Sequence, residues 1–584
     1  MVHSKTKLGK NLMKKGQLLF SIAFLLIGAL QAKGQEKPNV LMIVLDDLND
    51  FVGVMGGHPQ ADTPNIDRLA NQGILFTNAH SNCPVCSPSR ASFMTGVHPT
   101  TTGCWGFKHP QKNPVVVGSK TIAEYARENG YMTYYTGKIL HHPDPEEAWD
   151  KKGIKKAHGP YPTNGKTIVP HPSCPEGMAH LGALDATFAP LSDIPTVAAT
   201  DKTPETTGWF SYSWGQKPKP FRYKNDDDRE KMVDEKSIDW MKKTMSWHEK
   251  QSGNNPFLFA LGIMRPHTPL VVPKKYYDMF PLESIQLPTI KKKDKDDTPQ
   301  LGSNSRGWQA YKGLVEGYSD PDEGMKRYTQ AYLACVKFSD DIVGQALDII
   351  DNSKYKDNTI VMLFSDHGYH LGEKDELWKY THWEETTQVP FIVSDPRYAP
   401  NAGKRVDHPI SLIDVFPTIA DLCEMKGPTL KNKNGAEVDG HSLKPFLANP
   451  ASGQWTGPEF AVTVTDSYKS KNPHQMHLSA RSKQYRYIRY GDGAEELYDH
   501  SKDQHEWTNL ANNPEYASVK AKMKEDLLAY VPKKIKQAQG ASVKSAEKPN
   551  AETWKDTYFK KHPEADTNKD KKLSWPEYKA HKGK

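Results

Sequence analysis

Three apolar runs, far apart along the chain, constrain the fold more than any other feature. Asn39-Val40-Leu41-Met42-Ile43-Val44-Leu45, Pro256-Phe257-Leu258-Phe259-Ala260-Leu261-Gly262 and Thr359-Ile360-Val361-Met362-Leu363-Phe364 are continuous and rich in branched or aromatic residues. A strand with one wet face alternates in polarity, whereas a strand apolar throughout is buried on both faces, as in a parallel sheet covered by helices. Each run stops in polar residues: Asp46-Asp47, Arg265-Pro266-His267 and Asp366-His367. Open α/β sheets bind ligands outside the carboxyl ends of their strands, so the pattern predicts an α/β fold with its site at one sheet edge. A single strand followed by Asp-Asp is more often a turn or a helix cap. Acidic ends on two strands of one sheet go further. Asp46, Asp47, Asp366 and His367 together make a mostly oxygen shell that favours calcium or magnesium over zinc.

The second constraint is Asn82-Cys83-Pro84-Val85-Cys86-Ser87-Pro88-Ser89-Arg90-Ala91-Ser92-Phe93-Met94-Thr95-Gly96. Ser87 as cap and Pro88 at the first helical position predict a helix starting just after Pro88. Cys86 then stands before a helix N-terminus, where unpaired N–H groups polarise a thiol and hold an anion. Arg90, four residues on, reaches back toward it. The competing reading makes Cys83 and Cys86 a Cys-x-x-Cys redox pair or half a zinc site. Against it, no second Cys-x-x-Cys exists and no thioredoxin-sized unit surrounds this one.

Cys86-Ser87-Pro88-Ser89-Arg90 followed by a helix and Thr95-Gly96 resembles the signature of type I sulfatases. The resemblance implies that Cys86 is oxidised to formylglycine by a formylglycine-generating or other sulfatase-maturing enzyme. The hydrated aldehyde is then the nucleophile. It also implies one calcium ion (Ca2+) held by Asp46, Asp47, Asp366 and His367 alongside residue 86. Gly137-Lys138-Ile139-Leu140-His141, after a strand at 131–135, is similar to the basic pair of the iduronate-2-sulfatase-like branch. That places Lys138 and His141 on sulfate, with His142 the nearest competitor. His267 and Lys379 match further sulfate-binding positions. Arg265 is a candidate for the carboxylate or second sulfate of an acidic sugar. His370 lines a subsite or caps its loop. Trp105 and His109 either contact a charged sugar or, for the aromatic, lie buried.

The fold implied is an alkaline-phosphatase-like α/β sandwich with a central mostly parallel sheet over residues 35–425. A smaller C-terminal α+β subdomain with an antiparallel sheet follows over 426–532. The implied function is hydrolysis of sulfate esters in a sulfated, uronic-acid-containing polysaccharide or its oligosaccharides. Two alternatives remain: a phosphonate or phosphodiester hydrolase of the same superfamily, and a secreted glycan-binding relative without catalysis.

Charge and targeting complete the reading. The formal charge is +7 over 584 residues. Residues 1–34 hold six lysines and no acid, and residues 533–584 hold fourteen lysines against seven acids, which leaves residues 35–532 at −6. A nucleic-acid-coating protein is excluded, and an anionic substrate must be drawn by local charge in a cleft. Lysines before an apolar run at 18–30 and small residues near Ala32 read as a signal peptide over 1–34, hence a secreted or periplasmic protein. No other stretch is long and apolar enough for a transmembrane segment in the mature chain. Six cysteines are too few for a disulfide framework. After a basic linker, Asp566, Asn568, Asp570 and Glu577 have the spacing of a single EF-hand-type loop, a candidate second calcium site whose alternative is a plain charged tail, since Lys571 stands where glycine makes the turn.

Overall fold

A computed structural model describes residues 37–107, 109–141, 146–155, 157–164, 167–194, 196–197, 206–211, 219–251, 255–299, 305–467, 470–536, 562–565 and 581. The expected signal peptide at 1–34, His142, and the candidate EF-hand-like loop of Asp566, Asn568, Asp570 and Glu577 lie outside these residues. The chain divides into two compact units, 1–536 and 537–584. In the described part of the second, His562 and His581 both pair with Glu564.

The first unit is built on a nine-stranded sheet. Its strands are β1 (Asn39–Asp46), β2 (Ile74–His80), β3 (Met132–Gly137), β4 (Lys151–Lys155), β5 (Phe257–Pro266), β6 (Thr359–Ser365), β7 (Gln388–Ser394), β8 (Lys404–Val406) and β9 (Ile410–Ser411). The order is β8-β2-β7-β6-β1-β5-β3-β4, with β9 beside β2. Only β7 runs against its neighbours. The three apolar runs thus form the adjacent central strands β6-β1-β5, and every residue of β1, β5 and β6 is buried.

Successive side chains of a strand point to opposite faces, so two cores result. Leu41, Ile43 and Leu45 join Phe259, Leu261 and Leu363 on one face, and Val40, Met42 and Val44 join Leu258, Ala260 and Phe364 on the other. Five helices matter for the site: α1 (Cys86–Thr95), α2 (Val233–Glu249), α3 (Pro321–Asp351), α4 (Val415–Leu422) and α5 (Ala517–Tyr530). Helices α2 and α3 cover the first face; α1 and α4 cover the second. The 31-residue α3 starts where Asp320 accepts from Asp322 N, with proline at the first helical position. A further helix, Arg306–Val315, is capped by Ser305, whose side chain accepts from Trp308 N.

Strands β10 (Phe460–Thr465), β11 (His477–Ser482), β12 (Tyr485–Arg489) and β13 (Glu495–Asp499) form an antiparallel sheet in sequence order, packed by α5. Its core takes in Cys83, Val85 and Trp105 from around the start of α1. Thus the segment that carries Cys86 is clamped between the main sheet and the C-terminal sheet. Among the described residues no helix is long and apolar enough to cross a membrane.

Candidate active site

The site forms at the carboxyl ends of β6, β1, β5 and β3, four neighbours in the sheet. Along a straight strand Asp46 and Asp47 would face opposite ways. The chain prevents this by a register shift after Leu45 and a left-handed backbone at Asp47, φ 66°. Such a conformation is uncommon for a residue other than glycine and needs support from its surroundings. Here the Tyr332 hydroxyl on α3 donates to Asp47 O at 2.7 Å and accepts from Asn49 N at 3.0 Å. Ser365 Oγ accepts from Leu48 N at 3.0 Å, and Asp366 Oδ1 accepts from Asp47 N at 3.3 Å. At the end of β3, Gly137 has φ 76° and a side chain there would collide with Gly262 O. Glycine is therefore required where the chain turns to deliver Lys138.

Helix α1 begins at Cys86 rather than after Pro88, with Val85 at the cap and no capping side chain. Tertiary packing sets this start: every residue of α1 is buried. Pro88 still falls in the first turn, where its missing N–H has no partner to lose. Cys86 Sγ lies 3.4 Å from His367 Nε2 and 3.4 Å from Lys379 Nζ. Lys379 Nζ bonds Asp47 Oδ1 at 2.5 Å, and Lys138 pairs with Asp46. His267 Nε2 is 3.9 Å from Asp47 Oδ2. Arg90 Nε donates to Asp366 Oδ2 at 2.7 Å, Nη2 lies 3.3 Å from Asp46 Oδ1, and Nη1 donates to Ile139 O at 3.1 Å. Arg90 thus ties three strand ends together. It acts on the carboxylates and not, as its spacing suggested, on the cysteine.

Electrostatics sort these groups into roles. Burial raises Asp46, but Lys138, His267, Arg90 and Lys379 hold it well below the usual carboxylate range. Burial, against Lys379 and with the charge of Asp46, pushes Asp47 up to about 7. Burial likewise raises the Cys86 thiol, so this position does not favour a thiolate. Against burial, Asp47 and Cys86 hold Lys379 charged. His367 Nδ1 lies 3.0 Å from Gly368 O, a carbonyl that only accepts. The Nδ1 proton is fixed there, leaving the Nε2 lone pair toward Asp47 and Cys86.

Asp46 Oδ1 and Asp47 Oδ2 are buried and accept no hydrogen bond. Ligand atoms of Asp46, Asp47, Cys86 and His367 lie within 4.8 Å of one another, and Asp366 Oδ1 is 3.6 Å from His367 Nε2. Two buried carboxylate oxygens that accept no hydrogen bond, Asp46 Oδ1 having only the ion pair with Arg90 at 3.3 Å, stand beside an imidazole lone pair and fit a hard divalent cation.

Other candidates land elsewhere. Arg265 is fully buried and donates through Nε to Val271 O at 3.0 Å, through Nη1 to His267 O at 3.3 Å and through Nη2 to His158 O at 3.0 Å. Its fork shapes the His267 loop and is not presented to a substrate anion. His370 is buried with Nε2 2.8 Å from Thr381 Oγ1, so it fixes its loop and lines no subsite. Trp105 is buried in the core of the C-terminal sheet and cannot stack on a sugar. His109 is exposed at the turn Pro110–Lys112. His141 is half-buried on the flank of α1, in a small cavity with Ser87, Ala91, Thr95 and Leu140. Cys83 and Cys86 are both free thiols, and Cys83 belongs to the C-terminal core. Two residues unforeseen from sequence complete the site. Tyr332 supports Asp47, and the buried His158 ring lies 4.9 Å from that of His267. Both sit in segments whose patterns indicate only a helix or a loop.

Residues 38–425 match the family model described as Sulfatase, and residues 372–533 match one described as N-sulphoglucosamine sulphohydrolase, C-terminal. A protein named Sulfatase from Formosa agariphila is 33% identical over 492 residues, covering 83% of this chain and 85% of its own. Iduronate 2-sulfatase of Homo sapiens is 29% identical over 435 residues, 71% and 70% of the two chains. Among solved structures, a 2-O GAG sulfatase aligns with a TM-score of 0.58 at 22% identity, over 85% of this chain and 92% of that one. The alkaline-phosphatase-like architecture implied by the resemblance is the one observed. A family match across two thirds of the chain, spanning the strand ends that carry Asp46 and Asp366 and the helix start that carries Cys86, establishes that this chain belongs to the sulfatase family, the sulfuric ester hydrolases.

Proposed function

We propose that the protein is an exported sulfatase that removes sulfate from a uronic-acid-containing polysaccharide or its oligosaccharides, using formylglycine at position 86 and calcium. The observation that carries this reading is the pair of carboxylate oxygens that accept no hydrogen bond beside a buried Cys86 that touches both Lys379 and His367. Held by Asp46, Asp47, Asp366 and His367, calcium would supply Lewis-acid polarisation of a sulfate oxygen. Residue 86, once oxidised by a maturing enzyme, would supply a hydrated aldehyde oxygen as nucleophile, a group that a thiol cannot provide.

The chain's own residues do the rest. Lys138 and Lys379 converge on the sulfate position and stabilise the negative charge that develops there, in a water-poor setting where such contacts are strong; His267, which burial keeps neutral with its Nδ1 2.6 Å from Thr268 O, would donate to sulfate only once Nε2 is protonated. The N–H groups at the start of α1 add to this. Arg90 keeps Asp46 and Asp366 in place. His141, which the resemblance placed on sulfate, shares its cavity with Ser87 and not with residue 86, and no proton transfer is assigned to it. The uronic-acid preference is supported by the Gly-Lys-x-x-His spacing and by the named activity of the human relative. Arg265 no longer supports it. Export rests on the lysines and apolar run before residue 35.

The test measures sulfate released from aryl sulfates and sulfated polysaccharides, with peptide mass spectrometry across residues 82–90. Activity is expected to rise with the fraction of position 86 converted to aldehyde. Cys86→Ala should be folded and inactive, and Cys83→Ala active. Full sulfatase activity with an unmodified Cys86 thiol would overturn the mechanism. Absence of sulfate release from every substrate, in fully converted protein, would favour the non-catalytic glycan-binding alternative.

A further inference from the structure

We propose that Phe107 and Trp378 form an aromatic platform beside the nucleophile that seats the sugar ring next to the one carrying the sulfate. This rests on the sulfatase reading and deepens it, because a platform of this kind selects chain-like saccharides over single sulfated sugars.

Phe107 is 53% exposed, unusual for a large apolar side chain in this protein. Its ring centroid is 6.3 Å from that of the half-buried Trp378, with the planes 20° apart, and 6.2 Å from that of Tyr380. Trp378 directly precedes Lys379. The Lys379 ammonium lies 5.9 Å from the Trp378 ring centroid and 3.4 Å from Cys86 Sγ, so the platform borders the reacting position.

The backbone is held there at a cost. Trp378 and Tyr380 adopt left-handed φ values of 103° and 78°, which bulky residues rarely do. Such strain persists where surroundings enforce it and clusters at ligand sites. Tyr380 N donates to Pro84 O at 3.0 Å, and its hydroxyl donates to Trp105 O at 2.9 Å. These bonds fix the segment between the nucleophile helix and the C-terminal core. Lys379 turns inward and Trp378 meets Phe107.

The charge around the platform names the occupant. The Arg306 guanidinium lies 5.8 Å from the Trp378 ring and is anchored by Asp185. His109 and Lys112 are exposed on the Phe107 segment. A pyranose offers polarised C–H groups to the negative face of an aromatic ring, and the carboxylates or sulfates of an acidic sugar meet the Arg306 and Lys112 cations. An uncharged apolar ligand would gain nothing from them.

The experiment uses the full chain with Cys86→Ala, so that binding is read without turnover. Calorimetry compares end-sulfated monosaccharides with tetrasaccharides from heparin, chondroitin sulfate and ulvan. The tetrasaccharide is expected to bind more tightly than the monosaccharide, and Phe107→Ala to remove about tenfold of that gain. Phe107→Tyr should restore it, and thermal midpoints should stay unchanged because the side chain is exposed. Equal tetrasaccharide affinity with and without Phe107, or no gain with length in the parent, would overturn the platform. Failure of the sulfatase reading shows separately, as no sulfate release by the converted wild-type enzyme.

Discussion

Asp47 is the residue at which the fold and the chemistry meet. Its backbone is strained, its carboxylate lies beside that of Asp46, and one of its oxygens has no hydrogen bond. Without a cation, burial and the neighbouring charge favour its protonated form up to about pH 7, against 3.8 for an ordinary aspartate. A raised carboxylate pKa means that this group stabilises the metal-free fold at low pH and loses that contribution as pH rises toward 7. Calcium requires the ionised form, so calcium-induced thermal stabilisation should grow with pH over the same window. Asp47→Asn should abolish stoichiometric calcium in elemental analysis. It should lower kcat at least ~10²-fold, a scale set by loss of preorganised charge at the reacting centre. Its thermal midpoint in the absence of calcium should move little, because losing the Lys379 pair is offset by relief of repulsion with Asp46. Retained calcium together with full activity would refute the assigned ligand set.

At the scale of elements, the segment that delivers Lys379 depends on the C-terminal sheet. Arg486 on β12 is fully buried: Nε donates to Glu506 Oε1 at 2.5 Å, Nη1 to His382 O at 2.9 Å and Nη2 to Thr387 Oγ1 at 3.0 Å, and Nη2 also pairs with Glu384. Arg481 on β11 bonds Glu384 Oε2 at 3.1 Å, and Glu506 Oε2 accepts from Glu384 N at 2.9 Å. Burial raises Glu384, but Arg481 and Arg486 hold it well below the usual range. The network therefore stabilises above the ordinary glutamate pKa of 4.5 and weakens as pH falls through the lowered value. Arg486→Ala leaves two buried carboxylates short of a partner, a change worth about 3–5 kcal/mol of destabilisation. A thermal midpoint lower by several degrees and a reduced kcat are expected, measured by calorimetry and by sulfate release. An unchanged midpoint would mean that this network does not hold the two sheets together.

Across the whole molecule, legibility followed the reach of the interactions. The central strands β6-β1-β5 were readable because burial on both faces leaves a continuous apolar run, and their acidic ends were readable because such strands stop abruptly. Arg265 was misread, and His370 and Trp105 took the packing reading of the two left open, because a side chain's partner is set by tertiary packing, which local pattern does not report. The start of α1 was displaced for the same reason. The C-terminal limit at 532 also needs moving. Ile535 packs beside Gly103, Lys536 N donates to Thr101 O at 2.9 Å and Lys536 Nζ reaches Gly435 O, so the described fold continues to Lys536. Every proposed catalytic residue and every proposed ligand of the active-site calcium lies upstream of that point, and residues 537–584 form a separate compact unit. A chain ending at Lys536 should therefore keep its thermal midpoint and its turnover of small sulfate esters. A chain ending at Pro532 loses the contacts of Ile535 and Lys536 and should be less stable by about 1–3 kcal/mol, the scale of one buried aliphatic side chain and its flanking hydrogen bonds. Because those contacts brace residues 101–103, just before Phe107, the shorter chain should also bind tetrasaccharides less tightly than the longer one. Loss of small-ester turnover in a folded chain ending at Lys536 would instead show that residues 537–584 contribute to the active site.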